Sequence, residues 1–525
     1  MARLGGIANE GRASAGVLGW IERTGNRLPD PVFIFFYLIA ALVVISVLAS
    51  LAGYSALHPT QRDVNGAPAL IAASSLLAPE NIRRLWADMP LTFTGFHPLG
   101  YVLVVMLGAG IAERTGLFAS AMRGAVHGAP KALLTPMVAL VAMMGNLAAD
   151  AAYVVLIPLA GILLAAAGRH PIAGIACAFA GVSGAFSANL LPGQLDALLF
   201  GITEAAAEAL VPAWDANIVG NWYFISGMTF VFLPVIWYVT DRVIEPRLGV
   251  HAAADAPPVL SIDEQKPLDA AQKKGLARAG IAALAVVLLW AWFLFGPGTP
   301  LLDQAAQGPA RLSPFFKSLV AGFFVLFLAC GWAYGVAAGT VKGHRDIVRM
   351  MQESMADLAY YLVLAFAAAH FIAMFAWSNL GLIFAVQGAE LIRASKLPVP
   401  ALLGLIVLLT GAVNLFVGSA SAKWALLAPV LVPMMMLLGV SPEATTAAYR
   451  VGDGATNIIT PLMVYFPLIL TFCQRWQKDF GLGSLAATMI PYSLGLLVVG
   501  LALTIGWIAL DIPLGPAAPV HYTMP

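Results

Sequence analysis

Residues Val32 to Gly53 run without a single charged side chain, and comparable runs recur along the chain as far as Leu510. A helix rising about 1.5 Å per residue crosses a hydrocarbon layer of about 30 Å in about 20 residues. No water reaches the backbone inside that layer, so each run must satisfy its own N–H and C=O groups as a helix. The charged fraction agrees: 10% of the chain, against about 25% in soluble domains. The class is therefore an all-α polytopic membrane protein with little soluble mass. A net charge of +1 offers no electrostatic footprint for a nucleic-acid partner. Cys177, Cys330 and Cys473 lie in or beside apolar segments, lack metal-ligand spacing, and read as small core hydrophobes. The first run is too long for the apolar region of a cleaved signal peptide and reads as a span.

By length the sequence predicts nine crossings, at about 32–53, 96–112, 172–203, 221–240, 279–295, 314–338, 356–376, 444–471 and 484–510. Two further apolar stretches, 132–167 and 400–438, carry a polar cluster at their centres: "NLAADAAYVV" from Asn146 and "NLFVGSASAKW" from Asn414. A straight crossing would leave those groups at mid-depth in lipid. A hairpin that enters and leaves on one side buries them in protein, the condition under which irregular backbone survives there. Both stretches are thus expected to be re-entrant hairpins. Of the 28 basic residues, 19 fall on the side of the N-terminus, 6 on the other and 3 within apolar segments. Basic residues accumulate in cytoplasmic loops, so the N-terminus is placed inside. The expected organisation is a cytoplasmic segment 1–31, a first repeat 32–240, a cytoplasmic linker 241–278, a connecting helix 279–295, a second repeat 311–510 and a periplasmic tail 511–525.

The repeats rest on matched landmarks. Asn146 and Asn189 are 43 residues apart, as are Asn414 and Asn457. "SANLLP" answers "ATNIITP", "GRHP" (168–171) answers "GVSP" (439–442), and "AAY" (151–153) answers "AKW" (422–424). One extra helix between the copies inverts the second. Inverted repeats with interrupted helices are the architecture of secondary transporters, whose substrate binds near the midplane.

The segment "YRVGDGATNIITP" (449–461) places Arg450 and Asp453 inside an apolar run beside Gly452, Gly454 and Pro461. Its counterpart is "VSGAFSANLLP" (182–192). Both are expected to break their helices and so present amide ends to anions and carbonyl ends to cations. A charge at mid-helix costs about 2.5–3.5 kcal/mol on insertion scales, so these residues need a reason. Arg450 and Asp453, at i and i+3, either pair with each other or serve a substrate carboxylate and a coupling ion. Asp196, without a charged neighbour in sequence, reads as a proton or cation site or as a buried hydrogen-bonded carboxyl. Asp150 and Lys423, near the two hairpin tips, could pair across the repeats. Asn146, Asn189, Asn414 and Asn457, with Asp453, are candidate Na⁺ ligands or satisfiers of broken backbone. Ser421 could line the pocket, and Trp424, with Tyr153 as its counterpart, could stack on an aromatic ligand.

The chain carries no phosphate-cradling GxxxxGK[ST], no HExxH and no nucleophile–base set, so no enzyme or ATP-driven pump is indicated. A carrier of di- or tricarboxylates and a passive channel remain alternatives.

"NLAADAAYVVLIPLAG", "SANLLPGQLDALLFGIT", "NLFVGSASAKWALLAPVLVPM" and "YRVGDGATNIITPLMVYFPLI" occur in this order. Together they resemble the p-aminobenzoyl-glutamate transporter (AbgT) family. The resemblance implies nine transmembrane helices plus two hairpins, a homodimer and an aqueous basin. It implies import of p-aminobenzoyl-glutamate or export of sulfonamide antimetabolites on a Na⁺ or proton gradient, with no cofactor other than Na⁺. It places functional residues at Asp196, Asn414, Ser421, Trp424, Pro442, Arg450, Asp453 and Pro461.

Overall fold

The computed structural model describes residues 29–62, 68–127, 130, 133–148, 152–212, 214–249, 268–305, 311–460, 462–463 and 465–524. Apolar runs become helices, as the hydrocarbon layer demands. The helices that position the site are α1 (Pro31–Leu51), α2 (His97–Arg114), α3 (Leu134–Met144), α4 (Ile157–Ala166), α5 (Pro171–Phe179), α6 (Gln194–Ala207), α7 (Trp222–Tyr238) and α8 (Ala270–Phe295). They are followed by α9 (Ser313–Ala338), α10 (Ala359–Trp377), α11 (Val399–Asn414), α12 (Ala420–Leu437), α13 (Pro442–Asn457), α14 (Phe466–Trp476) and α15 (Leu482–Ala509). Among the described residues the named strands are Ser55–Arg62 and Pro68–Ala72, an antiparallel ribbon with Ser55 opposite Ala72.

Seven helices among the described residues are long and apolar enough to cross a membrane. An eighth counts if Leu99–Arg114 and Leu117–Ala125, bent by 62°, form one span. Two expected crossings are not continuous helices. The stretch 172–203 splits into α5, with a π-helical turn at Ala180–Gly184, and α6; the stretch 444–471 splits into α13 and α14. Conversely α12, expected as one arm of a hairpin, is by itself long and apolar enough to span. The connecting helix, expected at 279–295, also starts earlier. Residue Asp269 accepts from the Gln272 amide while the Gln272 side chain accepts from the Asp269 amide. This capping box starts α8 at Ala270, ahead of its apolar part. Exposed apolar side chains on α8, Ile281, Leu284, Leu288, Trp292 and Phe295 among them, present the face that lipid would cover.

The turns leading into the two broken helices are built alike. Gly168 follows α4 at φ +79° and Gly439 follows α12 at φ +80°, a conformation that favours glycine. The Arg169 amide donates to Leu164 O and the Val440 amide to Met435 O, the same closing bond of a Schellman cap. Then His170 and Ser441 cap α5 and α13 by accepting from the Ile172 and Ala444 amides, and Pro171 and Pro442 hold the first helical positions. The tail folds back over the second turn: the Ser441 amide donates to Val520 O, the Tyr522 amide to Gly439 O, and Asn217 Nδ2 to Pro516 O.

The first break runs between Gly184 and Gln194. There Asn189 Oδ1 accepts from the Leu191 amide, and Gly193 N–H donates to Asp196 Oδ2 at 2.7 Å, which starts α6. In the second repeat the expectation fails in position. Gly452 and Gly454 do not break the helix; α13 continues to Asn457, and the break follows it. The glycines serve packing instead. A Cβ on Gly452 would lie 2.1 Å from both Thr410 Oγ1 and Val407 O of α11, and one on Gly454 would lie 3.0 Å from Gly184 O. Glycine lets these backbones approach closely, the usual device between helices in a membrane. Pro461 and Asp150 lie outside the described residues.

Every residue of α13 is buried, Glu443, Arg450 and Asp453 included. Gly452→Ala is expected to cost about 1–3 kcal/mol through overpacking against fixed backbone. Gly506→Ala, where nothing lies within 4 Å of the added carbon, is the control. Thermal unfolding of the two purified variants in detergent checks the difference; equal melting temperatures would contradict the packing role.

Candidate functional site

Arg450 and Asp453 both project from α13, but they do not pair with each other. Arg450 Nη2 donates to Asp196 Oδ1 of α6 at 2.6 Å. Asp453 Oδ1 pairs with the Lys423 ammonium of α12. Helix spacing had offered an i, i+3 pair and had left Asp196 without a charged neighbour; the fold supplies each with a partner from another element. Lys423 pairs with Asp453, while its expected partner Asp150 lies outside the described residues. All four charged residues are almost closed from solvent: Arg450 and Lys423 are 1% exposed, Asp453 2% and Asp196 4%. A buried charge survives only when paired and hydrogen-bonded. Asp196 meets this through Arg450 and the Gly193 amide. The Arg450 side chain lies over the Phe200 ring, 6.0 Å from its centroid, and its Nε has no partner among the described residues.

Asparagines tie the broken backbone to the hairpin stretches. The Asn414 amide nitrogen, at the end of α11, lies 2.7 Å from Asp453 O, 2.8 Å from Thr456 Oγ1 and 2.9 Å from Asn457 Oδ1. Its oxygen accepts from Lys423 Nζ. In the first half, Asn146 Nδ2 donates to Met143 O and to Ala185 O, the latter at the start of the first break. Asn457 Nδ2 reaches Ser183 O at 3.5 Å, a long contact between the two breaks. Asn189 spends its oxygen on its own loop. In the second half, therefore, Asn414 Oδ1, Asn457 Oδ1 and Asp453 Oδ1 face donors. A Na⁺ ion at Asn414 and Asp453 would take the place of the Lys423 ammonium. No group of three or more His, Cys, Asp or Glu side chains placed to hold a metal occurs among the described residues.

Trp424 meets an aromatic ring of the protein itself. It stacks on Tyr449 with centroids 4.4 Å apart and planes 27° apart, and its Nε1 donates to Thr203 Oγ1 at 2.9 Å. Thr203 is in turn 2.9 Å from Thr446 Oγ1. The counterpart Tyr153 stacks on Tyr465 at 4.2 Å and so joins the hairpin stretch of the first half to the break of the second, whereas Trp424 and Tyr449 both belong to the second half. Ser421 lies 3.3 Å from Ser419 Oγ, beside the N-cap of α12. Pro442 starts α13, two turns from Arg450, and its carbonyl accepts from Thr446. The structure thus gathers Asp196, Asn414, Trp424, Arg450 and Asp453 into one cluster and leaves Ser421 and Pro442 at its margins.

Sequence reasoning missed Thr203, Phe200, Tyr449 and the true partner of Lys423. One signal was available: Asp196, Phe200 and Thr203 follow i, i+4, i+7 spacing and share the face of α6 that meets α12 and α13. A cavity of about 400 Å³ lies farther along α6 and α12, lined by Ala205, Ala206, Glu208, Ala369, Ala373 and Pro429 among others.

Removing one member of a buried pair strands the other. Asp196→Ala is expected to cost about 3–5 kcal/mol. Arg84→Ala, which breaks the solvent-exposed Arg84–Glu80 pair, should change stability by at most about 1 kcal/mol. Unfolding midpoints of both variants in the same detergent test this; comparable shifts would show that burial of Arg450 is not what makes Asp196 matter.

Comparison with known proteins agrees with this architecture. Residues 16–522 match the "AbgT putative transporter family". The chain is 35% identical over 504 residues to the p-aminobenzoyl-glutamate transport protein of Escherichia coli, covering 96% of each. The structure of the YdaH transporter of Alcanivorax borkumensis superposes with a TM-score of 0.86 at 40% identity, over 93% of this chain and all of that one. That of Neisseria gonorrhoeae MtrF, one of a class of antimetabolite efflux pumps, gives 0.89 at 40% identity, over 96% of this chain and all of MtrF. The family match and the curated relative both extend over nearly the whole chain, and the protein belongs to the AbgT transporter family.

Proposed function

We propose that this protein is a secondary active transporter of p-aminobenzoyl-glutamate or of related aromatic antimetabolites such as sulfonamides. It works across the bacterial inner membrane on a Na⁺ or proton gradient. Its expected architecture is nine crossings, two of them broken, plus two re-entrant hairpins, with the N-terminus inside and a homodimeric assembly. The observation that carries the reading is the ion pair between Arg450 and Asp196, which joins the helix of one break to the helix that follows the other. Charges at this depth mark substrate and ion pathways.

The chemistry of the site fits such a substrate. Arg450 offers a guanidinium fork with a spare buried N–H, suited to a carboxylate. The Trp424–Tyr449 stack can open to admit an aromatic ring between or beside its members. When a substrate carboxylate takes the place of Asp196 or Asp453, the displaced side chain is left as an anion in a closed site. A coupled cation, Na⁺ or H⁺, neutralises it, so that substrate and ion travel together. The same groups serve import and export; the gradient and stoichiometry set the direction. The cluster is closed from solvent, so loading requires α12 or α6 to move, and the adjoining cavity lies along both helices.

Purified protein in liposomes, given a Na⁺ gradient or a pH gradient separately, tests this. With one ion per substrate, a tenfold gradient supports about tenfold accumulation of labelled p-aminobenzoyl-glutamate. Asp453→Ala is expected to abolish the gradient-dependent part. Unchanged accumulation in that variant would remove Asp453 from coupling, and no accumulation with either gradient would overturn the transport reading.

A further inference from the structure

The reading above gives a substrate carboxylate a named receptor only at Arg450; a carboxylate taking the place of Asp453 meets a second buried cation, Lys423. It lies in the first turn of α12, adjacent in sequence to Trp424, and its ammonium engages Asp453 Oδ1 and Asn414 Oδ1. Arg450 is adjacent in sequence to Tyr449, the other ring of the stack. Each ring of the stack therefore has a buried cation as its chain neighbour. Each cation is held by a carboxylate: Asp196 on Arg450 and Asp453 on Lys423. Arg450 and Asp453 lie at i and i+3 on one continuous helix, so the two pairs sit side by side.

A buried ion pair is a poor device for stability alone, because an apolar pair of similar volume is often neutral or better. It is well suited to exchange. A ligand carboxylate can replace the aspartate at its cation, and the cation is never left without a partner. Among the described residues Arg450 Nε has no partner, which leaves an N–H in reserve for this. Lys423 can make the same exchange at Asp453.

We infer that Lys423 is a second carboxylate receptor beside Arg450, so that the site selects aromatic ligands carrying two carboxylates over those carrying one. This rests on the proposed function and assigns to the substrate's second carboxylate a residue of its own. One carboxylate meets Arg450, the other takes the place of Asp453 at Lys423, and the aromatic body lies against Trp424. Displaced Asp453 is then the group that receives the coupling cation.

Binding by titration calorimetry to the full chain in detergent tests the assignment. The probes are p-aminobenzoyl-glutamate and p-aminobenzoyl-glutamine, which differ by one carboxylate. The unaltered protein should prefer the first by about tenfold or more, the size of one charge-assisted hydrogen bond. The double variant Lys423→Met/Asp453→Asn removes both charges and strands neither. In it the ratio of the two dissociation constants should fall to within about twofold of one, a free-energy difference below about 0.5 kcal/mol. Lys423→Arg, which keeps a cation there, should retain the preference. Equal affinity of the unaltered protein for the two probes, or an unaltered ratio in the double variant, would overturn this inference alone. Failure of the unaltered protein to bind either probe would overturn the functional reading and this inference with it.

Discussion

The ion pair between Arg450 and Asp196 sets the terms for the rest of the structure. A guanidinium closed from solvent inside an apolar bundle is tolerable only with a carboxylate in hydrogen-bond contact. That carboxylate stands 254 residues away in the chain. Helix α6 must therefore begin where it can hold Asp196 toward α13, and the chain before it must leave the helix to get there. The cap that starts α6 uses the same carboxyl: Asp196 accepts from the Gly193 amide on one oxygen and from Arg450 on the other. One side chain thus ends the break and pays for the charge.

The second pair extends this arrangement. Lys423 and Asn414 bring both arms of the 400–438 stretch, α11 and α12, onto Asp453. Close approach of α11 and α13 depends on Gly452, since any side-chain carbon there would meet Thr410 and the Val407 carbonyl. Trp424, Thr203 and Thr446 then lock α12, α6 and α13 together through one hydroxyl. The cluster is consequently a junction of four helices from both halves of the chain. Movement of any one of them must exchange a buried partner for another. Ligand groups of matching charge can act as that other partner, which links the stability of the closed state to the chemistry of transport.

Much of the fold was legible beforehand because lipid imposes a strict local rule. Apolar run length located the helices, and the matched "GRHP" and "GVSP" foreshadowed two caps of the same construction around Gly168 and Gly439. Asn146 and Asn414 stood out as polar groups at mid-run, and each contacts backbone at or beside the break of its own half. The position of the second break was misread, because glycine signals both a break and a close helix contact, and only the neighbour decides between them. Thr203 and Tyr449 escaped notice because a threonine or tyrosine in an apolar run carries no local sign of what it will touch.

The sequence alone determined that the chain is a bundle of membrane helices with charged, broken segments in its interior, since the cost of polar groups in hydrocarbon acts on each segment separately. It also marked Asp196, Trp424, Arg450 and Asp453 as residues that need a reason. The tertiary structure alone decided who pairs with whom. Arg450 and Asp453 are near neighbours on α13, yet each turns to a different helix, because four buried charges and their hydrogen bonds must be satisfied together. That requirement is met by the packing of α6, α12 and α13 in space, and no local spacing rule contains it.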